Sequence, residues 1–315
     1  MKVSVKFLMC LSLAVTIIGC TSQENKKKEE PVAVATPSMP KNFERPVPPA
    51  VMTDPQDRAA FLITHFWNNF DFRDTMYCHA PDITEQAFVD FIALFPHTPY
   101  GKVLEGVRRL LDSAEVDVVM YNYFYTKAEH YLYNPNSPMR NDEYFIPFLE
   151  HVVASTKVKE ENKVRPRYQL NLAYKNRLGE KASDVMYTLS SGKTGNLYGI
   201  SAPYILLMFY NPDCTECART TEMIKNSPVI TAAVSSGRLK VVAIYPDENL
   251  DAWKKHLQDI PSSWINGYDK SLTVKNKEIY DLKAIPTLYL LDKDKKILLK
   301  DTSTGDIHEY LEQHP

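Results

Sequence analysis

The spacing of apolar residues changes near residue 180, and that change restricts the chain to two differently built halves. Before it, apolar residues recur at helical spacing for more than a hundred residues. "TDPQDRAAFLITHFWNNF" offers Thr53 or Asp54 as an N-cap, Pro55 in the first turn, and Ala59, Phe61, Leu62 and Phe66 along the helix. "DITEQAFVDFIAL" sets Thr84, Ala87, Phe88, Phe91 and Ile92 on one face. "KVLEGVRRLLDSA", "VDVVMYNYFYTKAEHYLY", "NDEYFIPFLEHVVAST" and "RPRYQLNLAYKNRL" follow, separated by Pro and Asn turns. After "LGEKASD" the runs become short and β-like: "VMYTLSS", "YILLMFY", "LKVVAIY", "TLYLLD" and "KKILLKD". Helical patterns lie among them at "ECARTTEMIKN", "NLDAWKKHLQ" and "DIHEYLEQ", and "LDKDKKIL" reads as the turn of a closing hairpin. Such alternation implies an α/β unit with a mixed central sheet. The expected fold class is α+β in two domains, all-helical over residues 53–178 and α/β over 182–315. No period of 20 to 50 residues points to a repeat array.

The N-terminus carries an export leader. "MKVSVKFLMCLSLAVTIIGC" has Lys2 and Lys6, then an apolar run from Phe7 to Ile18 that is too short for a membrane span. Its end, "IIGC", resembles the lipobox of bacterial lipoproteins, which implies removal of residues 1–19 and acylation of Cys20. Buried acyl CH2 groups contribute about 0.8 kcal/mol each, so the membrane contact would be the lipid alone. Residues 20–52 read as a tether. Seven of the 21 prolines fall between Pro31 and Pro55, and such a segment is extended and semi-rigid. Lys26, Lys27 and Lys28 are offset by Glu24, Glu29 and Glu30, as in a solvated linker. The 37 basic and 39 acidic residues give a net charge of −2, or −4 without Lys2 and Lys6, which argues against a nucleic-acid partner.

With Cys10 lost in the leader and Cys20 acylated, Cys78, Cys214 and Cys217 remain as thiols. In an oxidising compartment two close thiols pair readily, and one pair plus one odd cysteine is no stapled scaffold. The pair ends "FYNPDCTEC", after a strand and at the start of a helix. There Cys214 meets unpaired N–H groups and the positive end of the helix dipole, which favour its thiolate. Cys217, one turn on, is placed to resolve a mixed disulfide formed on Cys214. Glu216 works against the dipole, whose value is about 0.3–1 kcal/mol, so a modestly acidic thiol and a fairly reducing pair are expected. Zinc would need two further ligands that no second pair or paired histidines supply, so no metal or other cofactor is expected. A structural disulfide across so short a loop would stabilise little. Cys78, in "MYCHAP", reads as a small residue near a loop, and the aromatics of "MYNYFYTKAEHYLY" as packing.

"AIPTLYLLD" follows about seventy residues after the cysteines. A strand leading into CxxC, a helix opening on it and "IPT" before the next strand together resemble the thioredoxin superfamily, and its TlpA-like and ResA-like branch in particular, over residues 182–315. The resemblance implies a thioredoxin-like fold, a cis Pro286 facing the cysteines, and backbone groups of Ile285 offered to an extended substrate. It also likens "YTLSSGKTGNLYGI" to the extra N-terminal hairpin of that branch. Two departures stand out. Met208 occupies the position of the acid that serves the resolving thiol in thioredoxin, and Thr220 that of the acid in ResA-like members. Glu222, close by, is the candidate for proton transfer. "RAAFLITHFWNNFDFRDT" and "PDITEQAFVDFI" resemble an uncharacterised helical domain that precedes thioredoxin-like domains in envelope lipoproteins.

The sequence therefore predicts a membrane-anchored thiol-disulfide oxidoreductase acting on envelope proteins that contain cysteines or disulfides. An upstream thiol donor would supply electrons if it works as a reductase. Thr21 after the lipid cysteine favours the outer membrane by resemblance, and easier delivery of electrons for turnover favours its periplasmic face. The competing expectation is a non-catalytic binding lipoprotein whose helical domain grips a partner and whose thioredoxin fold is a scaffold.

Overall fold

In a computed structural model, residues 42–315 are described. The leader 1–19, Cys20 and the tether as far as residue 41 lie outside the described residues. The chain from 42 is extended and rests on the helices: Phe43 stacks on Trp67 and meets Phe70 edge-on, and Arg45 pairs with Asp90.

Six helices follow: α1 (Pro55–His65), α2 (Pro81–Ala93), α3 (Tyr100–Ala114), α4 (Val118–Ala128), α5 (Asp142–Ala154) and α6 (Glu160–Ala173). Local chemistry sets their starts. Asp54 caps α1 by accepting from the N–H groups of Gln56 and Asp57, with Pro55 in the first turn. Asp117 and Asn141 cap α4 and α5 in the same way. The predicted face of α2 is buried throughout, and Phe88, Phe91, Phe124, Phe145 and Phe148 fill one core with Trp67. The tyrosines of the aromatic segment pack around that core, and three of them hydrogen-bond through their hydroxyls, whereas the buried Tyr123 hydroxyl has no partner among the described residues. Tyr121 reaches His151 at 3.0 Å, Tyr125 donates to Gln169 at 3.2 Å, and Tyr131 donates to Glu85 at 2.8 Å.

The second half is built on seven strands: β1 (Met186–Leu189), β2 (Thr194–Asn196), β3 (Tyr204–Phe209), β4 (Leu239–Tyr245), β5 (Ile265–Tyr268), β6 (Thr287–Asp292) and β7 (Ile297–Lys300). Among the described residues they form one sheet in the order β2-β1-β5-β4-β3-β6-β7. β3, β4 and β5 run parallel, and the pairs β1–β2, β1–β5, β3–β6 and β6–β7 are antiparallel, so the sheet is mixed. Helices α7 (Thr215–Asn226), α8 (Pro228–Ser235), α9 (Leu250–Lys255), α10 (Thr273–Asn276) and α11 (Thr304–Gln313) complete the order. β3 reads as an unbroken apolar run because both its faces are covered. Leu206 and Met208 point to the core that α7, α8 and α11 share, while Ile205, Leu207 and Phe209 point to the one holding Tyr280 and Tyr289.

The helical and sheet-bearing parts pack as one unit. Asp142, in the first turn of α5, lies 2.6 Å from Lys283 and 2.9 Å from Lys300, all three side chains buried. Lys300 also donates to the carbonyls of Ala173 and Lys175 at the end of α6, and Arg140 pairs with Asp301 at 3.0 Å. No helix among the described residues is long and apolar enough to cross a membrane.

Candidate active site

β3 ends at Phe209, and a turn through "NPD" delivers Cys214 as the N-cap of α7. Its sulfur accepts the N–H of Cys217 at 3.3 Å, the role an Asp or Ser side chain plays at other helix starts. The first turn of α7 carries Cys217 inward, where it is 2% exposed, while Cys214 stays half-buried. One thiol therefore faces the surface and the other the core. The N–H of Asn211 reaches the Cys217 sulfur at 3.4 Å.

Burial pushes the Cys217 thiol far above its ordinary range, with Cys214 and Glu216 adding to the effect against the Asn211 N–H. The expected result is strongly ordered alkylation. Iodoacetamide at about pH 8 should modify Cys214 well before Cys217, read by peptide mass spectrometry at short times. Equal labelling of the two would contradict this geometry.

The sheet register brings the other side of the site into place. β3 and β6 pair with Phe209 opposite Thr287, so the residue before β6 arrives beside the turn that leads to Cys214. That residue is Pro286, and the Ile285–Pro286 peptide bond is cis. The Cys214 thiol donates to the Ile285 carbonyl at 3.5 Å, and Thr287 braces the loop by donating to the Ala284 carbonyl at 2.5 Å. Cys214 and Ile285 are 71 residues apart in sequence, and the fold thus brings Cys214, Cys217, Ile285 and Pro286 into one site.

Glu222 lines a 60 Å³ recess that also reaches Cys217, but its carboxylate turns outward to Lys225 at 2.5 Å. His256, to which the sequence assigned no role, lines the same recess between Asp259 at 2.7 Å and Asp213 at 3.6 Å. Its contact with Asp213 spans the fold and leaves no trace in local spacing. Met208 and Thr220 are buried near Cys217 without charge. Glu216 pairs with Arg219 through both Nε and Nη2, so part of its opposition to the helix dipole is neutralised. Cys78 belongs to the helical core, its thiol 3.8 Å from the Met120 sulfur.

The family model of a domain of unknown function, DUF5106, matches residues 19–176, and a thioredoxin-like family model matches residues 203–297. A thioredoxin-like protein from Bacteroides caccae is 49% identical, with 87% of this chain and 99% of that one covered and a TM-score of 0.84. The chain is a member of the thioredoxin-like family. Its helical half belongs to the DUF5106 family. The C-terminal domain of an uncharacterized protein from Bacteroides fragilis is 54% identical over 44% of this chain and 98% of its own length, with a TM-score of 0.43. The thioredoxin domain of a thiol-disulfide oxidoreductase from Bacteroides vulgatus is 22% identical over 44% of this chain and 97% of its own, with a TM-score of 0.40. No curated protein matches the chain.

Proposed function

We propose that this thioredoxin-like chain is a thiol-disulfide oxidoreductase that exchanges disulfides with exported proteins through Cys214 and Cys217. The observation that carries the reading is the half-buried Cys214 thiol on a helix N-terminus, 3.5 Å from the Ile285 carbonyl, with a buried second thiol one turn behind it. The Cys214 thiolate attacks one sulfur of the substrate disulfide, forming a mixed disulfide and releasing a substrate thiolate. The Cys217 thiolate then attacks the Cys214 sulfur and releases the second substrate thiolate. Two electrons pass to the substrate and the enzyme is left as the Cys214–Cys217 disulfide, which an upstream dithiol must reduce. The proton that Cys217 loses leaves through the recess lined by Glu222 and His256. Ile285 and Pro286 align the substrate strand. An acylated Cys20 would hold the protein at the periplasmic face of the outer membrane, where exported proteins and a thiol donor meet it.

The test is the reduction potential of the pair in the full chain, by thiol labelling across a dithiothreitol series. A thiolate stabilised in the reduced form makes a pair oxidising, and Glu216 in the first turn of α7 opposes the helix dipole that would stabilise the Cys214 thiolate, so the transition should lie nearer about −270 mV than about −120 mV. A pair that cannot be cycled ends the oxidoreductase reading.

A further inference from the structure

A 280 Å³ pocket opens beside Ile285, and both halves of the molecule build it. Its floor is Val274 and Tyr280, each 2% exposed. Pro246, just after β4, forms one side, and α6 of the helical domain forms the facing wall with Tyr168 and Leu172. Leu172 is 5% exposed, whereas Tyr168 is 49% exposed and fixed at the rim by donating to Glu278 from the other domain. The interior is thus apolar and walled by an aromatic ring. The rim is acidic: Asp247 and Glu278 stand against Lys275, whose ammonium already serves Asp247 at 2.6 Å and Glu248 at 2.7 Å, while Asp281 lies buried beneath them and pairs with Lys283 at 3.0 Å.

Ile285 links this pocket to the cysteines, since its carbonyl takes the Cys214 thiol. A polypeptide laid in extended form along Ile285 rises about 3.3 Å per residue, with side chains alternating in direction. A residue two positions from the reacting cysteine therefore falls over the pocket. The volume lies below that of cofactor-sized sites and suits a single large side chain.

The geometry points to a specificity pocket in which the helical domain selects substrates: extended, cysteine-containing polypeptides with an aromatic or large aliphatic residue near the cysteine, and no acidic residue there. This rests on the oxidoreductase reading above. It gives the helical domain a task in exchange, one that neither the cysteine pair nor the Ile285–Pro286 loop requires.

The test uses the reduced full chain and synthetic peptides, each with one cysteine capped as the mixed disulfide with glutathione. Phe, Gly or Glu stands two positions from the cysteine on both sides. Burying the Phe ring should raise the second-order rate about tenfold or more over Gly. Repulsion at the rim should place Glu below Gly. Tyr168→Ala should collapse the Phe-to-Gly ratio towards one, and Tyr168→Phe, which keeps the wall and drops the hydroxyl, should retain it. Equal rates for Phe and Gly, or a ratio that Tyr168→Ala leaves intact, would overturn the pocket while leaving the exchange reaction standing. Failure to react with any peptide, or with glutathione disulfide itself, removes the oxidoreductase reading and the pocket with it.

Discussion

Replacing Cys214 with serine is expected to reduce disulfide exchange to the rate of buffer alone, the largest effect of any single substitution in the chain. Cys214 is the half-buried thiol of the pair, and the buried Cys217 cannot reach an incoming disulfide in its place. Serine preserves the cap on α7, because its oxygen accepts the Cys217 N–H as the sulfur does, so stability should change little. Cys217→Ser should behave differently. The first attack survives, resolution does not, and a mixed disulfide on Cys214 accumulates that dithiothreitol releases. The measurement is turnover of a peptide disulfide, followed with non-reducing electrophoresis of each variant. Undiminished turnover in Cys214→Ser would move function away from the pair and leave a binding role for the helical domain.

Features set by local chemistry were legible beforehand. Thr84, Ala87, Phe88, Phe91 and Ile92 needed only the 3.6-residue period, and all are buried on α2. The strand, cysteine pair and IPT order located Cys214, Cys217, Ile285 and Pro286 because these residues flank two strands paired in register. β5 was missed for a physical reason. "INGY" carries the Asn-Gly of a turn, yet Gly267 is there because β1 passes close: a Cβ would lie 3.0 Å from that of Tyr187. The crowded aromatic segment also breaks simple periodicity, since α4 gives way to a π-helical turn at Glu129–Tyr133 whose extra residue rotates the face. Hardest to foresee were long-range groups. Asp142 and Lys283 are 141 residues apart, and neither shows from its neighbours that it will be buried against the other.

That contact supports the second large prediction. Asp142→Asn should lower stability by about 3–5 kcal/mol at neutral pH, because it leaves Lys300 buried without a counter-charge and Lys283 with Asp281 alone, 3.0 Å away. The loss should move the urea midpoint down by about 1–2 M. Adding Lys283→Met should cost less than the sum of the two single changes, since it removes a buried charge that the first change left with only one of its two partners. The pH dependence separates this cluster from ordinary packing. Burial works against ionised Asp142, but Lys283 and Lys300 prevail and hold its carboxyl below the usual range. Its contribution is therefore complete above about 3.9 and is lost as pH falls through the folded value. Asp281 and Asp301 have the opposite sign. Burial raises both above the usual range despite Lys283 and Arg140, so their contribution fades as pH rises from about 3.9 through those raised values. Wild-type stability should accordingly fall below about 3.9 through Asp142 and sag as pH rises from about 3.9 through the other two. Asp142→Asn should flatten the acid limb, a difference that midpoints measured from pH 3 to 8 would resolve. A variant with an unchanged midpoint at pH 7 would mean that apolar contact, rather than this ion cluster, holds the helices against the loop that carries Pro286.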